Sequence, residues 1–326
     1  MHARTLLSLA VITLGTAACG TPATDSVTPD ESAPAPDAVV ALAQRVDTLI
    51  DHLDGGSGGV SIDAAGNIFV ADFGALLSDP STMGPQVFLV TPEGEARVFA
   101  TGLEGASGNG MDSEGYLFQS NIRGNKISRI APDGTVAMFT DEGIEAPVGI
   151  EIDADDTLWV ANCGSASIQR VTKAGVSTRF VQDELLQCPN GITLDDAHNL
   201  YVANFNNGDV VKVTPAAEVS VLATLPGGNN GHLVHHAGAL YVVDRGGHRV
   251  YRVGLDGEID LVAGSGQRGS TDGDAATATF SFPNDLGFSP DGSILYVNEI
   301  SAITGDHTEL APMRVRRIFM REPGAS

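Results

Sequence analysis

Three asparagines stand at almost the same spacing ahead of an aromatic residue. Asn190 and Asn230 lie 11 residues before Tyr201 and Tyr241, and Asn284 lies 12 before Tyr296. Gly191, Gly231 and Asp285 follow them. Amide and carboxylate oxygens gathered at one point are what a hard cation such as calcium takes as ligands. Asn-Gly is also a common turn pair, so each asparagine alone has a structural reading, and it is their repetition that points to a site. Directly after Asn230-Gly231 come His232, His235 and His236. On a strand His232 and His236 share a face while His235 points away, so the three cannot meet at one metal. His232 is placed to act as a general base or a ligand, the alternative being a hydrogen-bonded core histidine. The candidate metal set is therefore Asn190, Asn230, Asn284 and Asp285, holding calcium or another divalent cation. His232 and Asp285 are the candidate catalytic residues.

What must position these residues is a repeat. GNIFVAD, EGYLFQSN, DTLWVAN, HNLYVAN, GALYVVD and SILYVNE are six versions of one strand and its following turn, with Phe69, Phe118, Trp159, Tyr201, Tyr241 and Tyr296 as aromatic anchors. The spacing of about 40 to 55 residues is that of a four-stranded propeller blade. Each anchor strand is preceded by a short strand (GVSIDAA, VGIEIDAD, NGITLDDA) and followed by an alternating one (QVFLVTPEGE, KISRIAPDGT, RVYRVGLDGE). An outer strand follows in five repeats, but the sixth ends with the chain. An open blade would leave backbone donors and acceptors unpaired. Val46–Leu53, ahead of the first inner strand, is expected to supply the missing strand and close the last blade. A helix over 39–53 is the competing reading, since Val39, Leu42, Val46, Leu49, Ile50 and Leu53 fit a helical stripe. The fold class expected is all-β: a six-bladed β-propeller over 39–326, closed by an N-terminal strand.

This pattern resembles the NHL-repeat and gluconolactonase (regucalcin-like) group of six-bladed propellers across residues 46–320. The likeness is strongest from Leu240 to Asp291, where the insertion GSGQRGSTDGDAATATFS looks like that of an NHL repeat. The resemblance implies that loops leading into the inner strands and loops after the anchor strands share one end, the top. The insertions 73–86, 264–281 and 300–312 all fall there. It also places Cys163 and Cys188 side by side on that end, where an oxidising compartment would join them. In gluconolactonase-like enzymes a divalent cation is held by a glutamate of the first blade, two asparagines and an aspartate. Asn190 in CPNGI matches one asparagine, and Asn230 stands at the blade where the family has its aspartate. The first blade has Gly55-Gly56-Ser57-Gly58-Gly59 and no glutamate, and the third has Pro147-Val148-Gly149. Glu151 and Asp285 are the nearby carboxylates that could substitute. The oxygens ending the anchor strands (Asp72, Asn121, Asn162, Asn204, Asp244, Glu299) recur in every blade and read as hairpin-turn residues, since a site should break the symmetry.

The N-terminus has its own signature. Residues 1–18 carry His2 and Arg4, an apolar run from Leu6 to Leu14, then small residues, as a secretory signal does. Thr16-Ala17-Ala18-Cys19-Gly20 resembles the lipobox of bacterial lipoproteins, which implies a lipid on Cys19 and an exported protein in the outer membrane or periplasm. The membrane would be met only through that anchor. Residues 19–38 are rich in Thr, Pro, Ser, Asp and Ala and read as a flexible tether. The formal charge of −23 repels nucleic acid, so no nucleic-acid partner is expected. No phosphate loop suggests a nucleotide cofactor. A propeller needs no partner to complete its sheets, and a monomer is expected. Two functions stay open: a metal-dependent hydrolase of small lactones or esters, and a non-catalytic propeller that binds a protein, glycan or peptide through its top loops.

Overall fold

The anchor segments 68–72, 117–121 and 200–204 are buried at every position. Strands buried on both faces need a sheet packed on either side, which is how a radial stack of small sheets stores its core. The computed structural model describes residues 42–75, 81, 84–301 and 309–321, and it is all-β. The expected signal and tether, with Cys19, lie outside the described residues, as do parts of the insertions at 73–86 and 300–312.

The first strand, β1 (Ala43–Leu53), belongs to the last of six antiparallel blades, of which the first five are four-stranded. Blade one is β2 (Ser57–Ile62), β3 (Ile68–Asp72), β4 (Gln86–Val90) and β5 (Ala96–Thr101). Blade two is β6 (Ala106–Met111), β7 (Leu117–Asn121), β8 (Lys126–Ile130) and β9 (Val136–Thr140). Blade three is β10 (Pro147–Ile152), β11 (Leu158–Asn162), β12 (Ser167–Val171) and β13 (Ser177–Gln182). Blade four is β14 (Pro189–Leu194), β15 (Leu200–Asn204), β16 (Asp209–Val213) and β17 (Val219–Thr224). Blade five is β18 (Asn230–His236), β19 (Ala239–Asp244), β20 (Arg249–Gly254) and β21 (Ile259–Ala263). After a two-residue strand, β22 (Gly273–Asp274), the last blade is built from β23 (Leu286–Phe288), β24 (Ile294–Ile300) and β25 (Met313–Met320).

The inner strands β2, β6, β10, β14, β18 and β23 touch in a ring, each against the next and β23 against β2. In three blades the anchor ring packs edge-on against an aromatic of the outer strand: Phe69 on Phe99, Phe118 on Phe139, Trp159 on Phe180. Such edge-to-face pairs are worth about 1 kcal/mol each beyond the area they bury.

The chain closes as the open-edge argument requires. β1 pairs antiparallel with β25 and becomes the fourth strand of blade six, so Val39–Leu53 is not a helix over its described part. The apolar positions Ala43, Val46 and Leu53 are buried, while bulges let the strand follow the twist of β25. Arg317 grips Asp47 with two hydrogen bonds of 2.7 and 3.1 Å. β22, from the insertion before β23, pairs with the outer side of β1 and makes this sheet five strands wide.

Cys163, just past β11, is bonded to Cys188, just before β14. The bridge ties blade three to blade four at the end where the inner strands begin. Replacing both cysteines with serine is expected to lower the free energy of unfolding by about 3 kcal/mol in urea titrations. A loss under about 1 kcal/mol would mean that the two blades hold their register without the bridge.

Candidate functional site

Aligning the blades by their hydrogen-bond ladders shows what lies at the axis. Val60, Ile192 and Leu233 pair with the residue after the anchor aromatic, and so does Leu286. The residue just before each of these is Gly59, Gly108, Gly149 or Gly191 in blades one to four, but His232 in blade five and Asp285 in blade six. The glycines are required by close approach: a Cβ on Gly59 would lie 2.6 Å from Ser107 O, and one on Gly149 2.3 Å from Asn190 O. Two adjacent blades therefore supply the only side chains at this level, and those side chains meet. His232 Nδ1 lies 3.4 Å from Asp285 Oδ2.

The pair separates two chambers on the axis. The upper one, about 330 Å³, is lined by Ser57, Ser107, Asn190 and Asn284 from the inner-strand starts and by Phe73, Phe205 and Leu310 from the top loops. The lower one, about 310 Å³, has Val60, Ile150, Ile192, Leu233, Leu286 and Phe288 as apolar walls, with Asp285, Asn109 and Glu151 among them. His232 lines both. These volumes are at the small end of ligand pockets, about 300–1,000 Å³.

The three asparagines do not share one register. Hairpin length explains why: five residues lie between Leu194 and Leu200, four between His235 and Leu240, and six between Phe288 and Leu295. Counting back from the aromatic therefore misaligns the blades. On the ladder Asn190 and Asn284 are equivalent and both line the upper chamber, whereas Asn230 matches Pro189. Asn230 is fully buried and its Nδ2 donates to Asp209 O, inside blades four and five. Asn190 Nδ2 donates to Asn230 O, and Asn284 Nδ2 to Gly58 O, so these amides also stitch neighbouring blades together. Asp285 takes Val60 N–H and Leu286 N–H, each at 2.7 Å, and borders the lower chamber.

A hard dication collects about six to eight oxygens, usually with carboxylates among them. Here the upper chamber offers amides without a carboxylate, Asp285 borders the other chamber, and Asn230 is turned away. Among the described residues no three His, Cys, Asp or Glu side chains are grouped to hold a metal ion. The four-residue donor set does not fit calcium.

The electrostatics of the axis are those of buried acids and a buried base. Burial pushes His232 down to about 3, so the ring is neutral at pH 7. Burial raises Asp285 well above the usual carboxylate range, the Glu151 charge adds to this, and the two backbone donors oppose it. Glu151 opens only onto the lower chamber, and its burial pushes its carboxyl up to about 8 against the Thr193 hydroxyl bond. Above, Arg245 is 2% exposed on the upper wall and donates to Phe282 O at 2.8 Å. Burial and the nearby Arg268 push it down to about 10, which leaves it charged. The oxygens that end the anchor strands do the structural work expected of them. Asp72 accepts from Gly56 and Gly74, and Asp244 from Gly227 and Gly247, fixing the top loops. The Cys163–Cys188 bridge lies on the wall of the upper chamber, within two residues of Asn190.

Ser57 and Arg245 were not among the sequence candidates. Ser57 was nonetheless visible as the one side chain within Gly55–Gly59.

Fold and axis together define a six-bladed propeller with two small axial chambers and a buried histidine–aspartate pair between them. The chain belongs to the virginiamycin B lyase family, whose model matches residues 81–265. No curated protein matches the chain. Among solved structures, virginiamycin B lyase from Staphylococcus aureus shares 14% identity with a TM-score of 0.58, over 85% of this chain and 98% of that one. A gluconolactonase from Xanthomonas campestris shares 16% identity with a TM-score of 0.65, over 89% and 99%. An auxiliary nutrient binding protein from Bacteroides thetaiotaomicron shares 14% with a TM-score of 0.67, over 86% and 77%. At these identities the likeness is one of fold.

The raised Glu151 carboxyl sets a pH dependence. Between about 4.5 and 8 the folded state holds a proton that the unfolded chain has released, so stability falls as pH rises through this window, by up to ~5 kcal/mol. Glu151→Gln is expected to raise the melting temperature by several degrees near pH 9 and to change it little near pH 4. Equal shifts at both would show that Glu151 titrates in the folded chain as it does in the unfolded one.

Proposed function

We propose that the chain is an exported enzyme that opens the ester or lactone bond of a small molecule held in the upper chamber, with His232 and Asp285 as its acid–base pair. The observation that carries this reading is the position of His232: at a level where four blades have glycine, it stands on the chamber floor facing Asp285. A lyase takes a proton from carbon while the acyl oxygen leaves, and a hydrolase takes one from water. Each requires a single base beside the scissile bond. Neutral His232 is in the protonation state to accept it, and Asp285 at Nδ1 would orient the ring and stabilise the imidazolium. The virginiamycin B lyase family match and the gluconolactonase fold neighbour support a small-molecule reaction of this kind.

One observation favours a second reading. A histidine pushed down to about 3 is a weak base, and a chamber built for binding alone would tolerate it. The nutrient binding neighbour has the same fold. On that reading the propeller holds its ligand, whether a small molecule or part of a protein or glycan, without turnover.

A screen of aryl esters and lactones separates the two. Turnover is expected in the parent, lowered at least ~100-fold in His232→Gln, the usual scale for loss of a general base. It is also expected to persist within about twofold when a chelator is added, since the donor set does not fit a cation. No turnover with any ester or lactone would leave the binding reading, and turnover abolished by the chelator would restore a metal to the mechanism.

Export belongs to the same proposal. The Cys163–Cys188 bridge supports an oxidising compartment, and Cys19 is the residue that would carry lipid. Cys19→Ser is expected to move the protein from the membrane to the soluble fraction of cells. An unchanged distribution would overturn the anchor.

A further inference from the structure

One residue before the level of His232 and Asp285, the six inner strands carry Gly58, Ser107, Val148, Asn190, Gly231 and Asn284 in chain order. Polar side chains thus come from alternate blades, two, four and six. All three line the upper chamber. Asn190 is 6% exposed and Ser107 3%, so each is sunk in the wall and not spread over an outer surface.

The two amides are held in one orientation. Asn190 Nδ2 donates to Asn230 O at 3.1 Å, and Asn284 Nδ2 donates to Gly58 O at 2.9 Å. A backbone carbonyl can be met only by the NH2 end of an amide, so the oxygen of each side chain faces away from that bond. Among the described residues nothing donates to either Oδ1, and neither oxygen is sealed from solvent as Asn230 Oδ1 is. Asn190, otherwise buried, therefore turns an unused acceptor to the chamber it lines. Beneath the two oxygens the His232 ring crosses the axis from blade five towards blade two, where a Cβ on Gly108 would lie 3.0 Å from its Cε1. A ligand that meets the oxygens sits over the imidazole. Acceptors fixed in this way are worth more to a ligand than ones that must reorient, because no reorganisation precedes the bond.

We infer that Asn190 and Asn284 are ligand-binding residues of the upper chamber, their Oδ1 atoms accepting hydrogen bonds from two neutral donors, hydroxyl or amide N–H, of one small molecule. Phe73, Ile122, Val148, Phe205 and Leu310 supply apolar wall for the rest of that molecule. Neutral donors suit the site because no carboxylate of the described residues lines the chamber. An ammonium would lose its water there without gaining a counter-charge, whereas a hydroxyl or amide loses far less. The inference rests on the upper chamber being the ligand site, as proposed above, but on no turnover there. It makes the two amides determinants of selectivity that hold the ligand directly and not through a metal.

The test is the ratio of affinities for two probes of like shape, measured by NMR titration of the full chain: resorcinol, with two hydroxyls, and 1,3-difluorobenzene, with no donor. Taking a ratio cancels any general loosening of the chamber. Asn190→Ala and Asn284→Ala are each expected to lower the preference for resorcinol ~5-fold, about the value of one neutral hydrogen bond. Asn190→Asp keeps an acceptor oxygen and is expected to hold the ratio within about twofold of the parent or raise it. Both substitutions at 190 lose the bond to Asn230 O, so an asparagine with a structural role alone would leave the ratio equal in the two. Ratios unchanged in both alanine variants, no binding of resorcinol by the parent, or resorcinol binding that a chelator abolishes would overturn the inference. Failure of the enzymatic reading looks different: an asparagine-dependent preference for resorcinol with no ester or lactone turnover.

Discussion

Everything at the axis follows from how closely the six inner strands approach. Packed as a ring, they bring each strand's backbone against the next, so that a Cβ at Gly59, Gly108, Gly149 or Gly191 would lie 2.3–2.6 Å from a neighbouring backbone atom. That crowding leaves four blades bare at one level. It also makes the remaining two consequential, since His232 and Asp285 are on adjacent blades and have only each other as side-chain neighbours at that level. The backbone bond from His232 N to Asn284 O, 2.7 Å, fixes the spacing of these two blades. A steric constraint on the whole ring thus sets the geometry of a single polar pair.

The ring holds this spacing only if it is closed, and closure uses buried charge as well as strand pairing. Arg316 is fully buried on β25 and bonds Glu299 at 2.6 Å and Asp272 at 2.8 Å. Asp272 also accepts from Thr48 of β1, through both the backbone and the hydroxyl. The last strand, the closing strand and the insertion before β23 are therefore one polar network around Arg316. Burial raises Glu299 to about 7 even with arginine beside it, so the pair is costly to bury. Such pairs add less to stability than to the uniqueness of one arrangement. Here the arrangement chosen is the register of β1 on β25.

The repeat was legible because each blade restates one local rule, an apolar strand ending in an oxygen-bearing turn, and six statements of it outweigh any local ambiguity. The closing strand was legible for a different reason: an unpaired edge in blade six had to be met by something, and Val46–Leu53 had the pattern. The site was legible in part. His232, Asp285, Asn190 and Asn284 do line the axis, but Asn230 does not, because hairpins of four, five and six residues shift the count from the aromatic anchors. Register is carried by the ladder, not by sequence distance, and a one-residue slip turns a side chain from the channel into the blade.

The pair at the floor is balanced between two charge states. The Val60 and Leu286 N–H groups each reach an oxygen of Asp285 and favour the carboxylate, whereas burial and the Glu151 charge favour the acid. Burial keeps His232 neutral, yet Asp285 opposite Nδ1 is the one group that would stabilise its cation. With these effects opposed, the position of the proton depends on the dielectric of the chamber above. A ligand that fills the upper chamber displaces water from one side of the histidine only. A drier surround costs the ion pair more than the neutral pair, because desolvation penalises both charges, so occupancy of the upper chamber holds the proton on the Asp285 carboxyl and keeps the imidazole neutral.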